Sequence, residues 1–389
     1  METRNLPVRR SFSKGGKPET RNKKNVNLIK PDIDFIEKLS KDSGAPLKQC
    51  MQCGTCSVIC KLSPEYNPFP RKEMIWAGWG LKEKLLGDPD IWLCHQCGDC
   101  TTYCPRGVKP GDVLSSLRFM SYLHYSKPKF IASFLSKIQN LPFIILIPAI
   151  IILIIIYLIN GLNIPSGEII YSKFFPHKQL NISFSILVLL TVVGIIFSMK
   201  SFWKDLKKHM HPKETKNKIF KSFINAFKEI LSHLKFNKCQ SNNYKFSTHL
   251  MVFYGFITLL FVTFFAIISV LFFEYPLSFF NPVKIAGNIA ALSLFTGLSI
   301  MIFKRLTDEE LSGNSNYFDW IFLISLYLLV ISGVLVEIAR FDSWKIAYHI
   351  YFVHLVLVWM VIVYLPYTKF GHIIYRITAL TYCKFIGRI

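Results

Sequence analysis

The chain has 389 residues, 51% of them hydrophobic, and a formal net charge of +22. The apolar residues are concentrated after Leu141, in runs long enough to cross a bilayer, for which about 20 residues suffice; this excludes a wholly soluble protein. Ten cysteines occur, and eight fall in two tight clusters, which in a reducing compartment read as metal ligands rather than disulfides.

Residues 1–30 read as a disordered basic tail. Arg9-Arg10-Ser11-Phe12-Ser13-Lys14 resembles a twin-arginine export signal, but no apolar stretch follows it before Leu141, so export is not expected.

Residues 31–125 carry a repeated pattern. Cys50, Cys53, Cys56 and Cys60 are spaced C-x2-C-x2-C-x3-C, and so are Cys94, Cys97, Cys100 and Cys104, with Pro105 after the last. Three close cysteines wrap one cubane cluster, and the fourth turns away to ligate the other. That predicts one 4Fe-4S cluster on Cys50, Cys53, Cys56 and Cys104, and a second on Cys94, Cys97, Cys100 and Cys60. Zinc sites usually pair two C-x2-C halves across a longer gap, so iron–sulfur fits better. Lys61 stands after Cys60, where proline is usual. The segment 70–87 is expected to be helical, with Trp76 and Trp79 shielding the sites. His95 is expected to be exposed or hydrogen-bonded rather than a ligand. Cys239 and Cys383 read as ordinary thiols.

Residues 126–389 form the membrane part, with spans expected near 141–159, 182–199, 248–273, 285–303, 317–338 and 346–366. An even number puts both ends on one side. The 200–247 connection carries twelve lysines against Asp205, Glu214 and Glu229. Lys304, Arg305 and the tail cations Lys369, Arg376, Lys384 and Arg388 add to that side, so the positive-inside rule turns both termini and the cysteine domain to the cytoplasm, with the spans in the cytoplasmic membrane. Within the basic connection, Phe220, Phe223, Ile224, Phe227, Ile230, Leu231 and Leu234 repeat at helical spacing, with lysines on the other face. Such a helix lies either on the membrane surface or on a partner subunit. Lysine beside anionic lipid accounts for the net charge, and no nucleic acid is expected.

Histidines within or at the ends of spans are uncommon and point to function. His249 lies at the start of the third span and His372 just past the end of the sixth, at matching depth on different helices. That is what bis-histidine ligation of a haem b needs. His354 precedes His372 by eighteen residues, about five helical turns or roughly 27 Å along one stripe.

The segment from His354-Leu-Val-Leu through Pro366-Tyr-Thr-Lys-Phe-Gly-His372 resembles the last haem-binding helix of the nitrate reductase gamma-type cytochrome b family. There, too, two histidines stand at this spacing, and His249 matches that family's ligand on the partner helix. The family places a second ligand ten residues further along, where this sequence has Leu259. A second haem b on His354 would then need another partner, His177 or, from a different face, His349. Cys104-Pro-Arg-Gly-Val-Lys-Pro after the second motif completes an HdrC-like domain fused to an HdrE-like cytochrome b. That architecture resembles the QmoC family, the membrane component of the quinone-interacting membrane-bound oxidoreductase complex, over nearly the full length.

The resemblance implies an all-α chain: a small helical two-cluster, ferredoxin-like domain followed by a six-helix cytochrome b bundle. It implies a non-autonomous subunit of an oxidoreductase that passes electrons from menaquinol to flavin-containing QmoA-like and QmoB-like partners, ultimately toward adenylylsulfate reductase in dissimilatory sulfate reduction. Quinol oxidation needs a proton acceptor, and Glu337, Arg340, Asp342, His349 and His354 converge where the fifth span ends and the sixth begins. The alternative for Arg340 is an interfacial salt bridge to Glu337 or Asp342. Two other functions compete. A heterodisulfide- or sulfite-reductase-linked carrier is one, although the Cys-Cys-Gly motif of disulfide reduction is absent from the sequence. A non-catalytic membrane anchor or redox sensor is the other, and it would not need intramembrane histidines.

Overall fold

A computed structural model describes residues 30–209, 218–233, 235–236, 243–272, 278, 280–307, 313 and 315–389. The expected basic tail to residue 29, Leu234 and Cys239 lie outside the described residues. Among the described residues the regular structure is all helical.

The polar part consists of α1 (Ile33–Ser43), α2 (Thr55–Val58), α3 (Arg71–Gly78), α4 (Lys82–Leu86), α5 (Asp90–Leu93), α6 (Asp99–Thr102) and the longer α7 (Pro110–Tyr125). α1 begins where the Asp32 carboxylate accepts from the Phe35 amide at 2.9 Å, and it ends at Gly44, whose φ of 60° is left-handed. The segment 70–87, expected to be helical, forms two helices, α3 and α4. The chain breaks at Gly80 (φ 68°), where a Cβ would lie 2.7 Å from the Asp32 backbone. That break leaves Trp79 56% exposed, so it shields nothing. Trp76 is half-buried beneath the ammonium groups of Lys72 and Lys84, 4.9 and 5.1 Å from its ring.

After α8 (Lys129–Leu135) come α9 (Leu141–Asn160), the short α10 (Tyr171–Phe174), α11 (His177–His209), α12 (Ile219–Ser232), α13 (Asn243–Phe272), α14 (Pro282–Thr307), α15 (Tyr317–Phe341), α16 (Ala347–Tyr364) and α17 (His372–Phe385). Six of these, α9, α11 and α13 to α16, are long and apolar enough to cross a membrane. Each overlaps one of the expected spans, and α11 runs ten residues beyond the expected end at 199. α13 and α14 approach closely because glycine lines their contact. A Cβ on Gly255 would lie 2.7 Å from Leu294, and one on Gly297 would lie 3.1 Å from the Met251 Cβ. With lipid on the outside, such close backbone approach is a main source of helix association.

The two parts share a core. Trp92 of α5 stacks on Tyr375 of α17 at 4.8 Å and meets the edges of Tyr122 and Phe202. Val113, Leu114 and Leu117 of α7 pack in the same cluster as Leu206 of α11, Phe318 of α15 and Tyr382 of α17. Residues 369–388, read from the sequence as a cation-bearing tail, pack into this core, with Tyr375 and residues 379–383 buried. Their cations are partnered: Lys369 with Asp319, Lys384 with Glu229 (2.8 Å) and Arg388 with Asp90 (2.6 Å).

Candidate redox site

Both cysteine motifs adopt one backbone. Gln52 and Gly54 in the first, and Gln96 and Gly98 in the second, all have positive φ (57°, 87°, 55° and 99°). The two left-handed turns curl each triplet of thiols inward, and the short helices α2 and α6 then present Cys56 and Cys100. Gly54 and Gly98 tolerate this without strain because they lack a Cβ.

Two small cavities result. Cys50, Cys53, Cys56 and Cys104 line one, together with Arg71 and Met74. Cys60, Cys94, Cys97 and Cys100 line the other, together with Phe69 and Leu114. The structure thus groups the fourth cysteine of each motif with the first three of the other. The shield over the thiols is Phe69, Pro70, Arg71 and Met74, not the two tryptophans. Two amides donate toward sulfur: Gln96 N to Cys94 Sγ at 3.3 Å and Val108 N to Cys104 Sγ at 3.4 Å. Burial and neighbouring thiolates push the Cys56 thiol up to about 11 and the Cys60 thiol up to about 12. Four converging thiols that repel one another as thiolates are a donor set that a positively charged iron centre relieves. Cys383, by contrast, is a solitary buried thiol.

Next to the second cavity lies a larger one, of about 300 Å³. Cys94, His95 and Gln96 line both. Into the larger cavity project His249 from α13 and His372 from the start of α17, with ring centroids 6.4 Å apart and planes at 75°. Metal–imidazole bonds of about 2 Å would put two rings facing one metal from opposite sides at centroids roughly 6 Å apart. The nitrogens suit this role. His372 Nδ1 lies 2.6 Å from the Lys369 carbonyl, which only accepts, so Nδ1 carries the proton and Nε2 keeps its lone pair. Burial pulls the His372 imidazole down to about 4, which keeps it neutral. His249 Nδ1 is buried without a hydrogen-bond partner. The lining also holds aromatic residues (Tyr122, Phe253, Phe318, Phe322), cations (Arg118, Arg305, Lys369, Arg376) and two carboxylates, Glu229 and Asp319, the latter paired with Lys369; the aromatic walls suit a flat apolar macrocycle, and the arginines suit its carboxylates.

Sequence reasoning singled out His95 but missed the residues that hold it. His95 is half-buried, stacks on Phe236 at 5.1 Å and accepts a hydrogen bond from Arg376 at Nε2, the hydrogen-bonded one of the two states expected for it. Burial and the Arg376 charge hold it well below the usual histidine range. Arg118 holds the same stretch from the other side, donating to the Ile91 carbonyl (2.9 Å) and Gln96 Oε1 (2.7 Å). His233, just past α12, lines the cavity with its ring 5.1 Å from that of His249. Arg376 did carry a sequence signal: it stands four residues after His372 and so shares its helix face.

The outer candidates are arranged differently. His354 shares a hydrogen bond with Ser332 at 2.9 Å, and neither His354 nor His177 lines the large cavity. Glu337 pairs with Lys284 at 3.1 Å, so the salt bridge weighed for Arg340 is made by another cation. Asp342 and His349 are exposed and Arg340 is partly so.

Residues 46–108 match the family of 4Fe-4S dicluster domains. Over 88 residues the chain is 39% identical to the C subunit of the H(2):CoB-CoM heterodisulfide,ferredoxin reductase of Methanothermobacter marburgensis, a match covering 22% of this chain and 47% of that protein. It is 38% identical over 93 residues to a protein of Archaeoglobus profundus that is itself described as like the C subunit of heterodisulfide reductase, covering 23% and 50%. It is 35% identical over 81 residues to the C subunit of the ferredoxin/F(420)H(2)-dependent CoB-CoM heterodisulfide reductase of Methanosarcina acetivorans, covering 21% and 50%. The chain spans about half the length of the curated relatives it matches. No solved structure matches it. The chain thus carries a 4Fe-4S dicluster domain, similar to heterodisulfide reductase C subunits, ahead of six helices long and apolar enough to cross a membrane.

Proposed function

We propose that the chain is the membrane electron-transfer subunit of a redox complex, linking a haem b in the large cavity to two 4Fe-4S clusters. The carrying observation is the shared wall, Cys94 to Gln96, between the second thiol cavity and the histidine cavity. When bound, the haem and the clusters each supply a one-electron couple. Cys50, Cys53, Cys56 and Cys104 hold one cluster, and Cys94, Cys97, Cys100 and Cys60 the other. His249 and His372 hold the haem iron, and the aromatic lining keeps water from it. Trp92, Phe202 and Tyr375 tie the domains into one core and fix the distance between sites.

The reading extends to menaquinol as reductant, flavin-containing QmoA-like and QmoB-like partners and adenylylsulfate reductase beyond them. This extension is supported by the likeness of residues 354–372 to cytochrome b of the nitrate reductase gamma type and by the fusion of the two domains. The lysine-rich connection supports a cytoplasmic face for the clusters. A second reading, a carrier serving a heterodisulfide reductase, is favoured by the names of the relatives.

Analysis of the purified chain tests the proposal. Iron and acid-labile sulfide of about eight each are expected, together with a bis-histidine haem b spectrum that is lost in His249→Ala and in His372→Ala. Stoichiometric zinc, or unchanged haem content in both variants, sinks it. Reoxidation by adenylylsulfate reductase rather than by CoB-CoM heterodisulfide, with the partner subunits present, separates the two readings.

A further inference from the structure

The amphipathic helix α12 has a face that no other part of the described chain covers. It docks by a narrow strip: Ser222 and Ala226 are buried, and Glu229 is clamped between Lys235 and Lys384, at 2.8 Å from each. At 3.6 residues per turn, Phe220, Phe223 and Phe227 form the neighbouring arc, and they remain 73%, 42% and 45% exposed. Lys221 and Lys228 border the far edge of that arc and are exposed. A docked strip, an open aromatic arc and a lysine border follow one another around the helix.

The depth of the helix identifies what covers the arc. The Tyr254 hydroxyl donates to the Leu231 carbonyl at 2.7 Å, at the C-terminal end of α12. Tyr254 lies ten residues into the third candidate span, which starts at Tyr244, or roughly 15 Å along its axis. One end of α12 is therefore level with the membrane part, and its open aromatic arc continues the apolar belt of that span. The lysines along the border suit phosphate headgroups, toward which long basic side chains extend while their stems stay on apolar surface.

We propose that α12 is an interfacial helix whose Phe220–Phe223–Phe227 arc lies among acyl chains, with Lys221 and Lys228 on anionic headgroups. The helix runs directly into His233, which lines the histidine cavity beside His249. The lipid surface thereby holds one wall of that cavity in place.

The test incorporates a photoreactive benzophenone side chain at Phe223 or Phe227 of the full chain in vesicles of phosphatidylglycerol and phosphatidylcholine, with Asn225 as the control position. Illumination is expected to give acyl-chain adducts at 223 and 227 and at most a tenth as many at 225. Adducts to protein alone, or none at all, overturn the proposal; the first outcome assigns the face to a partner subunit. In a second arm, Lys221→Glu with Lys228→Glu is expected to lower the lipid-adduct yield several-fold in vesicles containing phosphatidylglycerol and to leave it unchanged in pure phosphatidylcholine. Equal yields in both lipids overturn the headgroup assignment.

Discussion

His372 and Arg376 stand one helical turn apart on α17 and line the same cavity, the first facing His249 and the second holding His95 beside Cys94. A single helix face thus contacts both the histidine cavity and the wall of the second thiol site. The relationship predicts that Arg376→Gln changes the second cluster and not the first. Removing a guanidinium from beside the Cys94 loop disfavours the more negative, reduced state. The midpoint of one cluster should fall by tens of millivolts, about 60 mV being a tenfold change for one electron. An EPR-monitored redox titration with both midpoints unchanged would contradict this.

His372→Gly should be rescued by a small molecule. The substitution leaves an imidazole-sized space opposite His249, with the Lys369 carbonyl still available to receive an N–H. Added imidazole is expected to restore a six-coordinate low-spin haem spectrum to His372→Gly but not to the double variant with His249→Gly. Failure of the single variant to respond, in protein that retains its clusters, speaks against ligation at this position.

Paired substitutions distinguish the crossed arrangement of cysteines. If each motif lends its fourth cysteine to the other, Cys60→Ser with Cys94→Ser damages one cluster and leaves about four irons per chain. Cys60→Ser with Cys50→Ser damages both. An uncrossed arrangement reverses the two results, and iron analysis with EPR counts the surviving clusters.

The buried ion group beside α3 predicts a pH dependence. Lys72 Nζ lies 2.6 Å from Asp88, 2.7 Å from Asp90 and 3.2 Å from Glu73, and Arg388 reaches Asp90. Burial, reinforced by the neighbouring carboxylates, raises Asp88 to about 6 and raises Glu73 well above the usual carboxylate range. A raised carboxyl binds its proton more tightly folded than unfolded, so its ionisation weakens the fold as pH rises through the folded value. For Asp88 the loss runs from about pH 4 to beyond 6. Glu73→Gln should therefore raise the melting temperature at pH 8, with the gain vanishing toward pH 4. A gain that grows on acidification would reverse the assignment.

In the same group, Arg388→Met removes a cation from a buried carboxylate. Breaking a lone buried pair from one side costs about 3–5 kcal/mol; Asp90 keeps Lys72 at 2.7 Å, so the variant should melt lower by less than that full cost. Arg388→Met with Asp90→Leu should recover much of the loss. Thermal unfolding followed through Trp92, which stacks on the same helix α17, reads both.

What could be read from the sequence was local. Cysteine spacing repeats within a dozen residues and carries its own turn geometry, and the spans announce themselves because a bilayer demands unbroken apolar length. His249 and His372 were legible as a pair because each stands at the end of a span, where hydropathy fixes depth. The segment 70–87 is helical as expected but broken at Gly80, and that break depends on the close passage of the Asp32 backbone, which no local pattern records.

Tertiary structure alone decided the rest. Arg376 meets His95 across 281 positions, and Arg388 meets Asp90 across 298. The cations of the last twenty residues look like solvated loop charges until a fold brings buried carboxylates and carbonyls to them. The cysteine pattern and the spans thus follow from the sequence by itself, because thiol chemistry and membrane solvation act on neighbours along the chain. The shared wall between the second thiol site and the histidine cavity follows only from packing, because burying Trp92 against Tyr375 is what draws the two domains together.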